Sequence, residues 1–287
     1  MAHDTPTTTA FVLAGGGSFG AIQAGMLRAL VAHGVQADFV VGSSVGALNG
    51  AYFCGDPTPA GVARLEDIWR GLKRSDVFPL TLRRLAGVFF ESDSLVDSDA
   101  LRRLIEQHLP YRQLEDAHIP VHVMTTEVLS GAAMLFSSGP AALAVLASCA
   151  IPAAFSPVRI GAVDLMDGAI ASNTPVITAV ELGASRLVVL PTGYACSLPA
   201  PPETAIASAL HALNLLTTHQ LVRDLELLAG KVEIATVPPL CPLAVSPYDF
   251  SRADELIERA ALSTQLWLKG GGLQQQRIPA ALRPHVD

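Results

Sequence analysis

Ser44 stands at the centre of Gly42-Ser43-Ser44-Val45-Gly46, a G-x-S-x-G pattern that makes it a candidate nucleophile. Phe39, Val40 and Val41 lead into the pattern and residues 45–53 read as a helix, so the spacing predicts a strand-to-helix turn. Such a turn leaves the hydroxyl exposed, with helix N–H groups and a positive dipole end aimed at the space above it. Gly42 and Gly46 suit the turn because a side chain at either would crowd the serine and the neighbouring strand. The pentapeptide alone also fits a plain glycine-rich β–α turn. An α/β-hydrolase would place several strands before its nucleophile and a histidine late in the chain. Ser44 comes early, and His211, His219 or His285 would have to reach it.

A second pattern, Gly15-Gly16-Gly17-Ser18-Phe19-Gly20, follows the apolar run at residues 9–14 and precedes a helix predicted over residues 21–33. Two chemistries use such a loop. G-x-G-x-x-G is the dinucleotide fingerprint, but its ribose-binding acid belongs at the far end of the second strand, and Asp38 stands at the beginning of that strand. Alternatively, unencumbered N–H groups of Gly15, Gly16 and Gly17 bind the oxyanion formed when Ser44 attacks an ester carbonyl. Removing one such donor costs about 3 kcal/mol of transition-state stabilisation. The neighbouring serine favours the second use if the first two strands are adjacent.

Composition limits the surroundings. The chain has 287 residues, half of them hydrophobic, only 16% charged, with net charge −7. Mean hydropathy is +0.40 and the pI about 5.6. An acidic balance gives no nucleic-acid surface. No apolar run reaches the roughly 18 residues of a membrane span, so the apolar excess is expected in buried parallel strands, a lipid-like pocket or a membrane-facing surface. Residues 1–9 show no basic region followed by an apolar core, and a cytoplasmic location, peripheral to the membrane at most, is expected. Cys54, Cys149, Cys196 and Cys241 form no C-x-x-C pair and read as buried thiols. No clustered ligands suggest zinc or another metal, and no cofactor is expected.

Helix and strand alternate along the chain, as a mostly parallel sheet covered on both faces requires. Helices are expected over residues 66–73 and 99–108. Residues 77–95, apolar with Arg83 and Arg84, fit either a flap over the site or an ordinary packed loop. Residues 121–128 and 133–137 read as strands; His122 is a strand residue, and Glu127 a surface acid or a lip of the site. A helix candidate at residues 140–150 ends in Ala147-Ser148-Cys149-Ala150-Ile151-Pro152. Asp164 is expected near a hairpin turn. Asp167, followed by Gly168, ends an apolar strand where a side chain can enter a cleft, although an Asp-Gly pair alone reads as a tight turn. A helix from Asn173-Thr174-Pro175 and a buried strand at residues 185–191 follow. Beyond a proline-rich break the pattern is mainly helical: a long helix over residues 203–229, an edge strand at 231–237, and a final helix capped by Ser251.

Taken together the chain resembles the patatin-like phospholipase family. The resemblance rests on Gly15–Gly20, Gly42–Ala47, Ala147-Ser148 with Ile151-Pro152, and Asp167-Gly168-Ala169 with Asn173 and Pro175, in the family's order across residues 9–195. It implies a three-layer α/β/α sandwich and an acyl hydrolase with a Ser-Asp dyad, acting on phospholipid or other lipid esters. By position, Ser44 is the implied nucleophile, Asp167 the base, and Gly15–Gly17 the oxyanion donors. Residues 9–195 would be the catalytic domain, and 196–287 a helical extension packed on it. The family often carries Arg or Lys where this chain has Phe19, so no strong preference for an anionic head group transfers with the resemblance. Oligomeric state is not implied; transient membrane contact fits a lipid substrate.

Overall fold

In runs such as Thr9–Leu13 only the first residue is polar, and Ala10, Phe11, Val12 and Leu13 form the middle of a sheet buried on both faces. A computed structural model describes residues 7–77, 98–194, 196, 200–202 and 205–283. In chain order its elements are β1 (Thr9–Leu13), α1 (Gly20–Ala32), β2 (Phe39–Ser43), α2 (Val45–Gly55), α3 (Pro59–Gly71), α4 (Arg74–Val77) and α5 (Ser98–His108). β3 (Val121–Glu127), β4 (Ala133–Phe136), α6 (Ala141–Ser148), β5 (Val158–Ile160), β6 (Val163–Asp167), α7 (Ala169–Ser172) and α8 (Val176–Glu181) follow. The chain closes with β7 (Arg186–Leu190), α9 (Ala205–Leu228), β8 (Glu233–Thr236) and α10 (Ala253–Lys269).

The strands lie in the order β5-β6-β3-β2-β1-β7-β8, with β4 paired to β3 off that path. From β3 across to β8 the pairing is parallel; β4, β5 and β6 run antiparallel to their partners. Side chains alternate across β1. Phe11 and Leu13 join the core beneath α1, α2 and α10, while Ala10 and Val12 join Val176, Ala179, Leu221 and Leu225 beneath α8 and α9. This is a three-layer α/β/α architecture with a mostly parallel sheet. From β1 the chain order runs outward through β2 on one side and β7 on the other, so the crevice at the carboxyl ends of these strands is a topological switch point.

Residues after 195 enter every layer. β8 is the sheet edge, α9 covers one face, and α10 packs on α1 so closely that Gly25 meets the backbone of Ile257 and Ala261.

Three details differ from the expectations. α3 starts at Pro59, well before residue 66, because the Thr58 hydroxyl accepts from the Gly61 N–H at 3.1 Å and Pro59 suits a first turn. Ser251 does not cap α10; its hydroxyl donates to Asp249 at 2.6 Å, and the helix starts at Ala253. Only Cys54 and Cys149 are buried thiols, whereas Cys241 is exposed and Cys196 partly so. The segment at residues 77–95, read as either a flap or a packed loop, lies outside the described residues beyond Val77.

Candidate active site

β2 ends at Ser43 and α2 begins at Val45, so Ser44 alone makes the turn, at φ 53° and ψ −128°. This is a region that L-residues avoid, and the surrounding packing maintains it. A Cβ on Gly42 would strike the Gly46 carbonyl, one on Gly46 the Leu13 carbonyl, and one on Gly168 the Met124 carbonyl. The Ser44 N–H donates to the Ser148 hydroxyl at 2.8 Å, and that hydroxyl donates to the Met124 carbonyl at 2.6 Å. Ser148, at the end of α6, thus anchors the bend to β3.

The Ser44 hydroxyl donates to Asp167 Oδ2 at 2.6 Å, joining residues 123 positions apart. β6 runs antiparallel to β3, which brings its carboxyl end to the Ser44 bend through the Thr125–Asp167 pairing. Asp167 Oδ1 accepts from the Ala169 N–H at 2.8 Å, and the Asp167 carbonyl accepts from Thr126 at 2.8 Å. Both side chains are nearly enclosed, with Ser44 6% and Asp167 3% exposed. Burial pushes the Asp167 carboxyl up to about 6, although the bonds from Ser44 and Ala169 pull the other way. A carboxylate tuned towards neutrality and bonded to an alcohol can hold the alcohol's proton while the oxygen attacks an electrophile.

The glycine loop follows β1, beside the bend, as β1 and β2 are neighbours. Its amides are not equivalent. The Gly15 N–H donates to the Asn173 carbonyl at 3.0 Å, and the Ser18 N–H to the Pro247 carbonyl at 2.8 Å. Among the described residues the Gly16 and Gly17 N–H groups have no acceptor, and both glycines line the cleft with Ser44. Gly17 has φ 59° and lies against the Pro247 carbonyl, so a side chain there would be strained and obstructed. The Gly15 carbonyl accepts from the Thr192 hydroxyl at 2.6 Å.

Two cavities meet at Ser44. One, a cleft of about 560 Å³ including its open mouth, is lined by polar groups of Asn173, Asn214, Thr217 and Tyr248 as well as Ser44 and Asp167. Asp167 is its one charged residue among those described, and with burial it raises the Tyr248 phenol to about 12. The other, about 510 Å³, has an almost wholly apolar lining that includes Leu48, Trp69, Leu104 and Phe250. Beyond Leu48, Trp69, Leu72 and Leu104 lies a third, also apolar, cavity of about 410 Å³.

Ser44, Asp167 and Gly15–Gly17 are therefore brought together at one cleft. Other candidates stand apart. Asp38 accepts from the Thr9 N–H at 2.7 Å at the opposite end of β1, away from the glycine loop where a ribose acid would be needed. His211 and His219 line neither cavity at Ser44, and His285 lies outside the described residues. His122 bonds to Ser137 at 2.6 Å, and Glu127 to Ser130 at the hairpin. Phe19 is fully buried in the core and presents nothing to the cleft. The sequence offered no signal for Thr192, Asn214, Thr217, Pro247 or Tyr248, which reach the site from later segments; Ser148 sat inside a quoted motif, but without a role.

A family model described as "Patatin-like phospholipase" matches residues 11–180. Patatin-like phospholipase domain-containing protein 7 of Rattus norvegicus is 26% identical over 192 residues, covering 66% of this chain and 14% of that protein. Neuropathy target esterase sws of Drosophila melanogaster is 26% identical over 192 residues, covering 66% of this chain and 13% of its own length. The chain thus spans about one seventh of such relatives. Human GIVD cytosolic phospholipase A2, solved with methyl gamma-linolenyl fluorophosphonate and terbium chloride, superposes with TM-score 0.52 at 14% identity, over 96% of this chain and 60% of that one. VipD from Legionella pneumophila gives 0.50 at 15% identity, over 93% and 67%. These two likenesses concern the fold.

Proposed function

The chain belongs to the patatin-like phospholipase family, and from that premise we propose that it is a serine acyl hydrolase that cleaves carboxylic esters of lipids or phospholipids. The observation that carries the reading is the 2.6 Å hydrogen bond from Ser44 to a buried Asp167. Ser44 Oγ attacks the ester carbonyl carbon while its proton passes to Asp167 Oδ2. The oxyanion takes hydrogen bonds from Gly16 and Gly17; Gly15, whose N–H is given to Asn173, shapes the loop instead of donating. Collapse of the tetrahedral species expels the alcohol, which leaves with the proton from Asp167. Water then attacks the acyl-enzyme, Asp167 takes a proton from it, and the second collapse returns that proton to Ser44 Oγ and frees the fatty acid.

The two cavities suggest which half of the ester goes where. An acyl chain suits the apolar cavity, because burying its methylenes there yields about 0.8 kcal/mol for each CH₂. The alcohol half suits the open cleft with its amide and hydroxyl groups. With no cation lining that cleft among the described residues, neutral esters are expected to serve as well as charged phospholipids. Contact with a lipid surface is transient in this reading; no helix of the described residues is long and apolar enough to cross a membrane.

A fluorophosphonate probe tests the reading directly. Mass mapping is expected to find the label on Ser44, and Ser44→Ala and Asp167→Asn are each expected to abolish p-nitrophenyl ester hydrolysis while the fold persists. Label on any other residue, or full activity in either variant, rejects it.

A further inference from the structure

Two of the scattered cysteines meet. Cys196 follows β7 and Cys241 follows β8, and their Sγ atoms lie 3.0 Å apart although 45 positions separate them. We propose that Cys196 and Cys241 form a thiol pair that closes to a disulfide and fastens together the two segments that hold the glycine loop. A disulfide needs about 2.0 Å between the sulfurs, so the pair stands roughly 1 Å beyond bonding distance. The other two thiols, Cys54 and Cys149, are buried, whereas Cys241 is exposed to a reagent.

What the bond would fasten is specific. Four residues before Cys196, the Thr192 hydroxyl donates to the Gly15 carbonyl at 2.6 Å. Six residues after Cys241, the Pro247 carbonyl accepts from the Ser18 N–H at 2.8 Å, and the Ser246 carbonyl from the Ser18 hydroxyl at 3.3 Å. The glycine loop is thus gripped at its start by one segment and at its end by the other. The two segments already touch, as a Cβ on Gly193 would lie 2.9 Å from Pro239 Cβ.

The chemistry balances with a small disulfide such as oxidised glutathione. The Cys241 thiolate attacks it, releasing one small thiol and leaving a mixed disulfide; the Cys196 thiolate then attacks Cys241 Sγ and releases the second. Two protein thiols give up two protons and two electrons, and the reagent gains them as two thiols. Partial loss of solvent and the bonded Cys196 thiol push the Cys241 thiol up to about 11, so thiolate is scarce at neutral pH and closure is slow. Once closed, the bond shortens the loops open to the unfolded chain and raises the melting temperature by about 5 °C.

The full chain is incubated with oxidised glutathione at pH 8. Free thiols counted in denaturant are expected to fall from four to two, and non-reducing digestion to give a peptide joining Cys196 to Cys241. Tm should rise by about 5 °C and return with dithiothreitol. Cys196→Ser and Cys241→Ser should each lack the rise. Four surviving thiols, a linkage through Cys54, Cys149 or a second copy, or a linked protein that melts no higher would each overturn the proposal. None of these readouts depends on Ser44.

Discussion

At Asp167 burial and hydrogen bonding oppose one another, and burial prevails, holding the carboxyl near 6. A base must be ionised to accept a proton, so kcat/KM is expected to fall tenfold per unit as pH drops below about 6 and to level off above it; a profile flat down to pH 4 would count against Asp167 as the base. The same shift bears on stability with the opposite sign. A carboxyl whose folded pKa is raised stabilises the fold while protonated, and that contribution is lost as pH rises through about 6. Asp167→Asn, neutral throughout, is therefore expected to melt at or above the wild type at pH 8, by up to roughly 3 kcal/mol, with the difference shrinking by pH 5. Thermal scans at the two pH values check it. Ser44 was legible as a candidate because it centres a G-x-S-x-G pattern between strand and helix, although that pattern alone also fits a plain glycine-rich turn. Asp167 was legible as a strand-end acid, but its pairing with Ser44 came only from the family resemblance: locally Asp-Gly reads as a turn, and the two residues are 123 positions apart.

Among the elements, α2, α3 and α5 build the apolar side of the site. Leu48, Trp69, Leu72 and Leu104 line both the cavity at Ser44 and the neighbouring one of about 410 Å³, so they form a wall between two apolar spaces. Leu48→Ala is expected to join the two and move the preferred p-nitrophenyl ester towards longer acyl chains, at a cost of about 1–2 kcal/mol for a half-buried leucine. An unchanged chain-length profile would place the acyl group elsewhere. Apolar periodicity announced these elements but not their cavities, since a leucine facing a void and one facing a neighbour look alike in a sequence. The start of α3 is itself readable, as a Thr58 cap followed by a first-turn proline.

For the molecule as a whole, the alternation of helix and strand sufficed to expect a covered parallel sheet. The β3–β4 and β5–β6 hairpins follow from short turns between neighbouring strands, whereas the antiparallel pairing of β6 with β3 and the contribution of late residues to the cleft depend on contacts that no local pattern carries. Ion pairs add to the packing of the last helix on α1 and α3: Glu66, 3% exposed, is bonded by Arg28 and Arg70, which also reach Glu258 at 2.8 and 2.9 Å on α10. Burial decides which loss matters. Arg70→Ala leaves the enclosed Glu66 with one partner and is expected to cost about 2 kcal/mol, whereas Glu258→Ala, on the exposed side, should cost under about 1 kcal/mol. Denaturant titration of both variants checks the order, and ester hydrolysis should be unaffected in each.

Thr192 lies outside the stretch that the family model matches, yet its hydroxyl grips the Gly15 carbonyl. A trans peptide is a rigid plate, so fixing that oxygen on one edge points the Gly16 hydrogen out of the opposite edge. The hydroxyl works as a tiller for an N–H to which it makes no hydrogen bond. Thr192→Val would free the plate to swing, lowering kcat about tenfold with KM little changed, and Thr192→Ser would restore it; equal turnover in all three proteins would mean the plate is steered by something else.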